Sequence, residues 1–567
     1  MNKGNYLRTL WDIQIPMRDE INLSADIYLP SRINETGYPT ILLRTPYDNT
    51  YPYHIDMAKF FVLNEYAYVV QDVRGRCDSE GEWEPYMNEG YDGFDTIEWI
   101  ASQPWCNGEI GMMGGSYKGY VQWAVAKENP PHLKTIVPTA AAGNFMQETP
   151  YVNGIPGLWY LAWLHLVGGK TAQWNITSVV NWKEVYYHLP LLTMDEKLGR
   201  LSQNWKEILK HPSIDDYWRT IIFSIDDFNK INLPVLHITG WYDGDQPGAL
   251  FFYNQMVKHS PAAYSQYILI GPWTHAGTRT PNQTIGDIDF STKSIIDIKK
   301  LHLNWFDYTL KGDKSAISKW KQSKFFIMGR NVWKKEDSFW PPRYTSLQSY
   351  YLSSMRKANT KDGTGKLNVD IPKSENFDKY LYDPINPIII ITDWDIYSHD
   401  FKDLVDYQDL LKREDILVYK TDPLERNTTI AGNPILEFYA SSSCFDTDWF
   451  ISLTDVHPDG KCISLRAGDF GKGMLRARYR NSLEIPEFLE PGKVYKYSIE
   501  LDSICNEFKI DHRIQVSIMS SAFPIYARNL NTRNEIGTGI ETKIAENKVF
   551  HGRNYPSRLI LPIMIDR

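Results

Sequence analysis

The run Gly114-Gly115-Ser116-Tyr117-Lys118-Gly119 decides the fold, because it sets a serine inside the pattern G-x-S-x-x-G, which is one residue longer before its second glycine than G-x-S-x-G. The apolar residues 110–113 before it suit a buried strand, and residues 120–127 after it suit a helix. A serine on such a tight strand-to-helix turn stands clear of the sheet, with the free N–H groups of the helix start behind it. The same letters also occur by chance in Gly- and Ser-rich turns, so the rest of the chain must supply the context.

Apolar strands alternate with helical stretches on both sides of this turn, over residues 1–144 and 231–338. The predicted strands are rich in Val, Ile and Leu and cover residues 21–29, 39–44, 66–71, 109–113, 135–139, 233–239, 267–270 and 324–328. The predicted helical stretches cover residues 58–65, 90–101, 120–127 and 285–320. Buried strands separated by helices are typical of a parallel α/β sheet, which we predict for these two segments.

Two of these strands end next to residues that complement a nucleophilic serine. One ends just before Asp243 and the next ends just before His275. With Ser116 this gives the chain order Ser, Asp, His of α/β-hydrolases, at the strand ends where such sheets carry their active sites. We therefore predict that His275 takes the proton of Ser116, that Asp243 orients the imidazole, and that the N–H of Tyr117 donates to an oxyanion.

Other polar residues near these strand ends allow two interpretations each. Tyr47 follows the strand at residues 39–44, and its hydroxyl either packs in a loop or donates to an oxyanion. Asp245 is either a solvated loop carboxylate or a site for a cationic group of the substrate. His165, His188 and His211 show no metal-ligand spacing and are interpreted as core or surface histidines, so no metal site is predicted.

Residues 145–230 break the α/β pattern. They are dense in Trp, His and Leu, and amphipathic helices are predicted at residues 195–209 and 214–220. This segment is predicted to be a helical cap inserted between two strands of the sheet, where it would shape a substrate pocket. Aromatic residues make up 14% of the chain, with 19 Trp and 36 Tyr, which favours an aromatic-lined pocket or extensive packing between domains.

Residues 343–567 form a different kind of domain. Short alternating runs separated by turns appear at residues 348–352, 388–391, 416–420, 435–439, 449–455, 495–501 and 513–519. Their spacing predicts an antiparallel β-sandwich of the jelly-roll kind. Such a domain would either bind a carbohydrate or wall one side of the active site.

Composition limits the classes of partner. The net charge is −8 without a basic block, which argues against nucleic acid. No run approaches 18 apolar residues and the N-terminus has no apolar leader, so neither a membrane span nor export is expected. Five scattered cysteines without a C-x-x-C pattern fit a reducing compartment, and a cytoplasmic location is predicted.

The chain as a whole resembles the CocE/NonD-type family of α/β-hydrolases, which contains cocaine esterase, α-amino acid ester hydrolases, glutaryl-cephalosporanic acid acylases and Xaa-Pro dipeptidyl peptidases. The matching segments are Pro46-Tyr47-Asp48, DVRGRCDSEGEW from Asp72, the segment from Gly90 to Ala126, GWYDGD from Gly240, GPWTH from Gly271 and the segment from Ala440 to Arg480. The resemblance implies the triad Ser116, Asp243 and His275, and an oxyanion hole formed by the Tyr47 hydroxyl and the Tyr117 N–H. It also implies the helical cap and a jelly roll that mainly packs.

The resemblance further implies hydrolysis of small acyl esters or amides, without a metal or cofactor. Asp245 matches a carboxylate that holds a substrate ammonium in the amino acid ester hydrolases, and Glu148 and Trp241 complete the candidate substrate-binding set. Dipeptidyl-peptidase-like and β-lactam acylase activities are alternatives, although the peptidases usually carry a further N-terminal domain that this chain lacks. A non-catalytic binding protein is the alternative from another class, and the sequence leaves open a homo-oligomer.

Overall fold

The computed structural model describes residues 7–32, 34–391, 393–396, 406–466 and 471–565. Residues 1–6 lie outside these ranges, and the expectation about the N-terminus rests partly on them. Residues 467–470, which belong to the family-matching segment from Ala440 to Arg480, also lie outside them. All five cysteines are described and carry free thiols. No helix in the described ranges combines the length and the apolar character that a membrane-crossing helix requires.

A mixed sheet organises the first part of the chain. Its strands and two small hairpins are β1 (Leu7–Pro16), β2 (Asn22–Pro30), β3 (Tyr38–Thr45), β4 (Ala67–Asp72), β5 (Cys106–Gly115), β6 (Leu133–Thr139), β7 (Tyr151–Val152), β8 (Ile155–Pro156), β9 (Val235–Tyr242), β10 (Gln266–Thr274), β11 (Thr284–Ile285), β12 (Ile288–Asp289), β13 (Ser323–Ile327) and β14 (Val332–Glu336). Ten of them form one sheet in the order β1-β2-β4-β3-β5-β6-β9-β10-β13-β14. The strands from β4 to β13 run parallel, while β1, β2 and β14 pair antiparallel at the two edges.

Helices cover both faces of this sheet. They are α1 (Pro52–Leu63), α2 (Glu89–Ala101), α3 (Tyr117–Glu128), α4 (Trp159–Val167), α5 (Trp182–Tyr187), α6 (Gln203–Lys210), α7 (Asp216–Arg219), α8 (Ile225–Lys230), α9 (Gln246–His259) and α10 (Ile298–Leu310). The apolar side chains of α2, α3 and α4 share one core, and those of α1 and α10 share the core on the other face. Helices α4 to α8 lie in sequence between β6 and β9, which are neighbours in the sheet, so this segment is inserted at the middle of the sheet.

The C-terminal part is a large, almost wholly antiparallel β structure, which confirms the predicted architecture. Its strands are β15 (Thr345–Ser353), β16 (Lys366–Asn368), β17 (Asn376–Tyr382), β18 (Leu417–Lys420), β19 (Thr428–Gly432), β20 (Ile435–Ser442), β21 (Asp448–Val456), β22 (Cys462–Ser464), β23 (Met474–Arg476), β24 (Tyr495–Glu500), β25 (Ile504–Phe508), β26 (Arg513–Met519), β27 (Ala545–His551) and β28 (Arg558–Met564). Their inward side chains form a second, separate core.

Three local expectations are wrong. The helical stretch expected at 285–320 contains the hairpin β11–β12, because Gly286 at φ 51° and the following aspartate supply a two-residue turn. The helix expected at 195–209 is split, because Gly199 takes the left-handed conformation and ends a 3-10 helix (Leu191–Leu198) before α6. The strand expected at 388–391 is reduced to an isolated bridge between Ile389 and Phe523.

Candidate active site

Ser116 lies on a strained turn between β5 and α3, as the sequence predicts. Its φ of 65° and ψ of −131° are rare for a residue with a side chain, and such strain persists where the surroundings enforce it. Here the Ser116 N–H donates to the carbonyl oxygens of Thr139 and Ala140, both at 3.0 Å, at the end of the neighbouring strand β6. The backbone of the next strand therefore holds the serine in position.

Asp243 and His275, the predicted acid and base, lie in direct contact. His275 Nδ1 lies 2.8 Å from Asp243 Oδ1, and the Thr239 hydroxyl donates to Asp243 Oδ2, also at 2.8 Å. Burial alone would raise the pKa of Asp243, but its contact with His275, assisted by Thr239 and by the N–H of Asp245, keeps that pKa below its ordinary value. The carboxylate is thus charged and oriented toward the imidazole.

The strand register explains why these two residues meet. Strands β9 and β10 are parallel neighbours in which Gly240 lies opposite Gly271, so the two loops that follow leave the sheet side by side. A Cβ on Gly240 would lie 2.1 Å from the carbonyl oxygen of Trp273, so no larger residue fits where the two strands end. The glycine that precedes each loop in the sequence is therefore required for the close approach of β9 and β10.

The loop that carries His275 also reaches the serine turn. Arg279, four residues after His275, packs on the backbone of Gly115, where a Cβ would lie 2.7 Å from Arg279 Nη1. The Thr278 hydroxyl donates to the His275 carbonyl at 2.7 Å and stabilises the turn between them. Ser116, Asp243 and His275 therefore belong to loops at one edge of the sheet.

The hydroxyl of Tyr47 lies beside Ser116, which favours its interpretation as an oxyanion donor. It accepts a hydrogen bond from the indole N–H of Trp163 at 3.2 Å and contacts the Ser116 side chain. Burial raises the pKa of Tyr47, against the opposing effects of Trp163 and Arg279, so the phenol keeps its proton and can donate it in a hydrogen bond.

Tyr117 is fixed through its side chain while its N–H stands in the first turn of α3. Its hydroxyl donates to Glu89 Oε1 at 2.7 Å and accepts from the Tyr86 N–H at 3.0 Å. Glu89 is held in turn by a buried ion pair with Arg44 at 2.8 Å. N–H groups in the first turn of a helix have no acceptor within the helix, so the Tyr117 N–H is placed to bind an oxyanion.

A lysine, which the sequence did not single out, adds positive charge behind the serine. Lys118 Nζ donates to His54 Nε2 at 3.2 Å and lies 5.4 Å from the centre of the Tyr47 ring. Burial, with the charge of Arg279, lowers the pKa of Lys118 to about 7, and burial also holds the pKa of His54 well below its usual value. His54 is thus the neutral partner in this contact.

The three candidate substrate-binding residues differ in their surroundings. Asp245 Oδ2 lies 3.6 Å from His275 Nδ1, with 15% of the side chain exposed. Glu148 is buried, and its carboxylate accepts from the N–H groups of Gly143, Asn144 and Gly248. These backbone contacts reach both of its oxygens, and the assignment of Glu148 to substrate binding stays a prediction.

The expectation for Trp241 is wrong. Its side chain is fully buried, its indole N–H donates to the Phe326 carbonyl at 2.7 Å, and its ring packs against Trp340. Trp241 therefore belongs to the packing between the two domains.

Aromatic rings line the space around Tyr47. The ring of Trp174, from the inserted helical segment, packs against Tyr47 at 5.7 Å and Tyr51 at 5.6 Å between centroids. Trp163 also contacts Trp83, at 5.6 Å between centroids. Trp163 and Trp174 lie more than 100 residues from Tyr47, and composition was the only signal in the sequence that pointed to such a surface.

The C-terminal domain contributes a side chain to the loop of the triad acid. Arg466 Nη2 donates to the carbonyl oxygens of Asp243 and Gly244, both at 3.3 Å, while its Nη1 pairs with Asp502 at 2.8 Å. Nothing in the sequence pattern around Arg466 pointed to this contact, which joins residues more than 220 positions apart.

Both parts of the chain match known protein families. Residues 19–277 match the family model described as X-Pro dipeptidyl-peptidase (S15 family), and residues 312–560 match the C-terminal non-catalytic domain of X-Pro dipeptidyl-peptidase. Cocaine esterase of Rhodococcus sp. (strain MB1 Bresler) is 31% identical, with both chains covered completely.

Solved structures share the whole fold. An aminopeptidase from a marine sediment archaeon (Thaumarchaeota archaeon) superposes with a TM-score of 0.85 at 24% identity, covering 99% of this chain and 96% of the other. An α-amino acid ester hydrolase superposes with a TM-score of 0.86 at 22% identity, covering 99% and 97%. With its two matched domains and its full-length similarity to cocaine esterase, the chain belongs to the X-Pro dipeptidyl-peptidase (S15) family of CocE/NonD-type serine hydrolases.

Proposed function

We propose that the protein hydrolyses esters or amides of small acyl groups through an acyl-enzyme on Ser116, with His275 and Asp243 as base and orienting acid. The observation that carries the proposal is the 2.8 Å contact between His275 Nδ1 and the buried Asp243, on loops at the edge of the sheet that holds Ser116 in its strained turn. The name of the relative cocaine esterase supports esters as the first substrate class to test.

In the proposed reaction, His275 Nε2 takes the Ser116 proton while Oγ attacks the acyl carbon. Asp243 keeps the Nδ1–H tautomer and stabilises the imidazolium that forms. His275 then gives the proton to the leaving alcohol or amine, and the same steps run with water to release the acid. Because Asp243 is charged and fully buried, its effect on the imidazolium is not weakened by solvent.

The negative charge of the tetrahedral intermediate would lie between the Tyr47 hydroxyl and the Tyr117 N–H. Both donors are held before substrate arrives: Trp163 donates to the Tyr47 oxygen, and the Tyr117 side chain is anchored on Glu89. Donors that need no reorganisation stabilise the transition state more than the ground state. Lys118 near the Tyr47 ring favours the same oxyanion in its protonated form.

The first test is covalent labelling with a fluorophosphonate, followed by peptide mass spectrometry of wild type and Ser116→Ala. We expect a label confined to Ser116, and a fall in kcat on the order of 10⁶-fold in the variant, whose melting temperature should stay close to wild type. A panel of p-nitrophenyl esters and aminoacyl p-nitroanilides then separates esterase from peptidase activity. A folded wild-type protein that takes no label would refute the proposal.

Asp245 supports a narrower version of the substrate class, in which the acyl group carries an ammonium next to the scissile bond. Its carboxylate is partly exposed and lies near both His275 and Tyr47. The test compares an aminoacyl ester with the same ester lacking the amino group, in wild type and Asp245→Asn. We expect KM to rise about tenfold or more for the aminoacyl ester alone, because a charge-assisted hydrogen bond contributes roughly 1.5–3 kcal/mol. Equal changes for both esters would assign Asp245 to orienting His275 instead.

A further inference from the structure

Three potential metal ligands meet at one end of the C-terminal β structure, far along the chain from the proposed triad. Asp455 lies in β21, His457 follows the end of that strand, and His512 precedes β26. Within the described part of the chain, their ligand atoms all come within 4.8 Å of one another. We refer to Asp455, His457 and His512 as the two-histidine cluster.

Strand register brings the cluster together. β21 and β26 pair antiparallel with Asp455 opposite Ile514 and Val456 opposite Arg513, so the next position along this register places His457 opposite His512. Side chains two positions apart in a strand point to the same face, and so do directly opposed side chains. Asp455, His457 and His512 therefore lie on one face at the end of the β21–β26 ladder.

The distances are close to those of a coordination sphere. His512 Nδ1 lies 2.8 Å from Asp455 Oδ1, His457 Nε2 lies 3.9 Å from Asp455 Oδ2, and the two imidazole centroids are 4.4 Å apart. Tetrahedral ligands at about 2.0–2.1 Å from a zinc ion are separated by roughly 3.3 Å. The observed separations lie on both sides of this value, so side-chain movements of less than about 1 Å would produce it.

The surroundings are partly enclosed and leave one side open. The side chain of Asp455 is 8% exposed, that of His512 12%, and that of His457 35%. An ion would thus have a buried carboxylate beneath it, and water would complete its coordination on the side of His457. Two imidazoles and one carboxylate are a ligand set for borderline d-block cations, whereas Mg²⁺ and Ca²⁺ take oxygen ligands.

We propose that Asp455, His457 and His512 bind one divalent cation of the Zn²⁺ class, and that this ion joins the β21–β22 hairpin to the loop between β25 and β26. It plays no part in the proposed acyl chemistry and is independent of it. A bound ion stabilises the folded form by an amount that grows with the logarithm of its free concentration above Kd, because its ligands are not preassembled in the unfolded chain. The site thus predicts a metal-dependent stability of the C-terminal domain.

The test titrates metal-free full-length protein with Co²⁺, whose d–d absorption reports low-coordinate nitrogen and oxygen ligands without any use of enzyme activity. We expect a single equivalent to bind in wild type, to be displaced by Zn²⁺ and to be unaffected by excess Ca²⁺. His457→Ala should abolish the absorption, because it removes one of the three ligands. His457 is chosen because it is the most exposed ligand, so its removal costs little packing. Zn²⁺ should raise the melting temperature of wild type but not of this variant.

The matched control is His132→Ala. His132 Nδ1 also lies 2.8 Å from a carboxylate oxygen, of Glu98, but this pair is not part of a three-ligand cluster in the described residues. Co²⁺ binding should be unchanged in this control. Should His457→Ala fold poorly, Asp455→Asn tests the same site while keeping the shape of the side chain. Absence of Co²⁺ absorption in wild type, or equal binding in wild type and the cluster variants, would overturn the proposal.

Discussion

The serine turn after β5 and the acid loop after β9 reach the same edge of the sheet, but they are held in different ways. The turn is fixed by neighbours close in sequence, since the Ser116 N–H bonds to carbonyl groups at Thr139 and Ala140. The acid loop is fixed from the C-terminal domain, by Arg466 on the Asp243 and Gly244 carbonyl groups and by Gln246 Nε2 on the Ser503 carbonyl at 3.0 Å.

This difference shows that residues of both domains hold the loops of the candidate site in position. The backbone of the serine turn is held by the α/β domain, through the hydrogen bonds from the Ser116 N–H to the end of β6. The orientation of the acid depends on chain more than 200 residues away, so the C-terminal domain does more than wall the cleft. Glu148 connects the loop after β6 to the helix that follows the acid loop, because it accepts hydrogen bonds from Gly143 and Asn144 in that loop and from Gly248 in that helix.

Of the four substitutions that test this comparison, Tyr47→Phe, beside the serine turn, is expected to have the largest effect. Loss of one oxyanion donor should lower kcat by about 10²–10³-fold with little change in stability. Steady-state kinetics on a p-nitrophenyl ester measure it. Tyr51→Phe is the control, since its ring packs on the same Trp174. A kcat of Tyr47→Phe within threefold of the wild-type value would show that the Tyr47 hydroxyl is not an oxyanion donor.

Glu148→Gln tests the link between the loop after β6 and helix α9. The amide group of glutamine would face at least one of the three N–H donors, so we expect the free energy of unfolding to fall by about 1–3 kcal/mol. Urea denaturation measures this change, with the exposed Glu82→Gln as control. Burial raises the pKa of Glu148 to about 8, so the stability that its protonated form contributes in wild type is lost as pH rises through that value. The difference in the free energy of unfolding between wild type and Glu148→Gln should therefore narrow from pH 5 to pH 9. A difference that widens would contradict the raised pKa of Glu148.

Arg466→Met tests the hold of the C-terminal domain on the acid loop. Two hydrogen bonds of 3.3 Å to backbone carbonyl groups together contribute about 1 kcal/mol, so kcat should fall by roughly five- to tenfold while KM changes by less than about twofold. Arg480→Met is the matched control, since that guanidinium bonds within its own loop to Ala477 and Glu487. Equal kcat in Arg466→Met and wild type would confine the role of Arg466 to stability.

The last expected effect is a pH dependence of stability at Lys118, which is measured without any use of the proposed chemistry. Burial lowers its pKa to about 7 in the folded protein, below that of an unfolded lysine, so the folded state carries an unfavourable charge that is fully present below pH 7 and disappears as pH rises toward 10. Lys118→Met should therefore gain melting temperature relative to wild type at pH 6 and lose that advantage by pH 9. A difference independent of pH would mean that Lys118 keeps an ordinary pKa.

Much of the site was readable from the sequence because each element is a local pattern. An apolar run before Ser116 and glycines after the strands leading to Asp243 and His275 predict three loops at one sheet edge without further information. The resemblance to a known family added Tyr47, whose position after a strand left two interpretations open. These local patterns did not predict the position of Trp241. Its closeness to Asp243 in sequence suggested the cleft, whereas its side chain is buried in the core.

The sequence by itself determined the order of strands and helices, the serine turn and the chemical identity of the proposed triad, because these follow from periodicity and from glycines at fixed offsets. Only the tertiary structure decided which distant side chains support them: Trp163 on Tyr47, Arg466 on the acid loop, and His512 beside Asp455 and His457. The physical reason is that hydrogen bonds and metal coordination act over about 2–3.5 Å in space, and distance in space between residues far apart in the chain is set by packing.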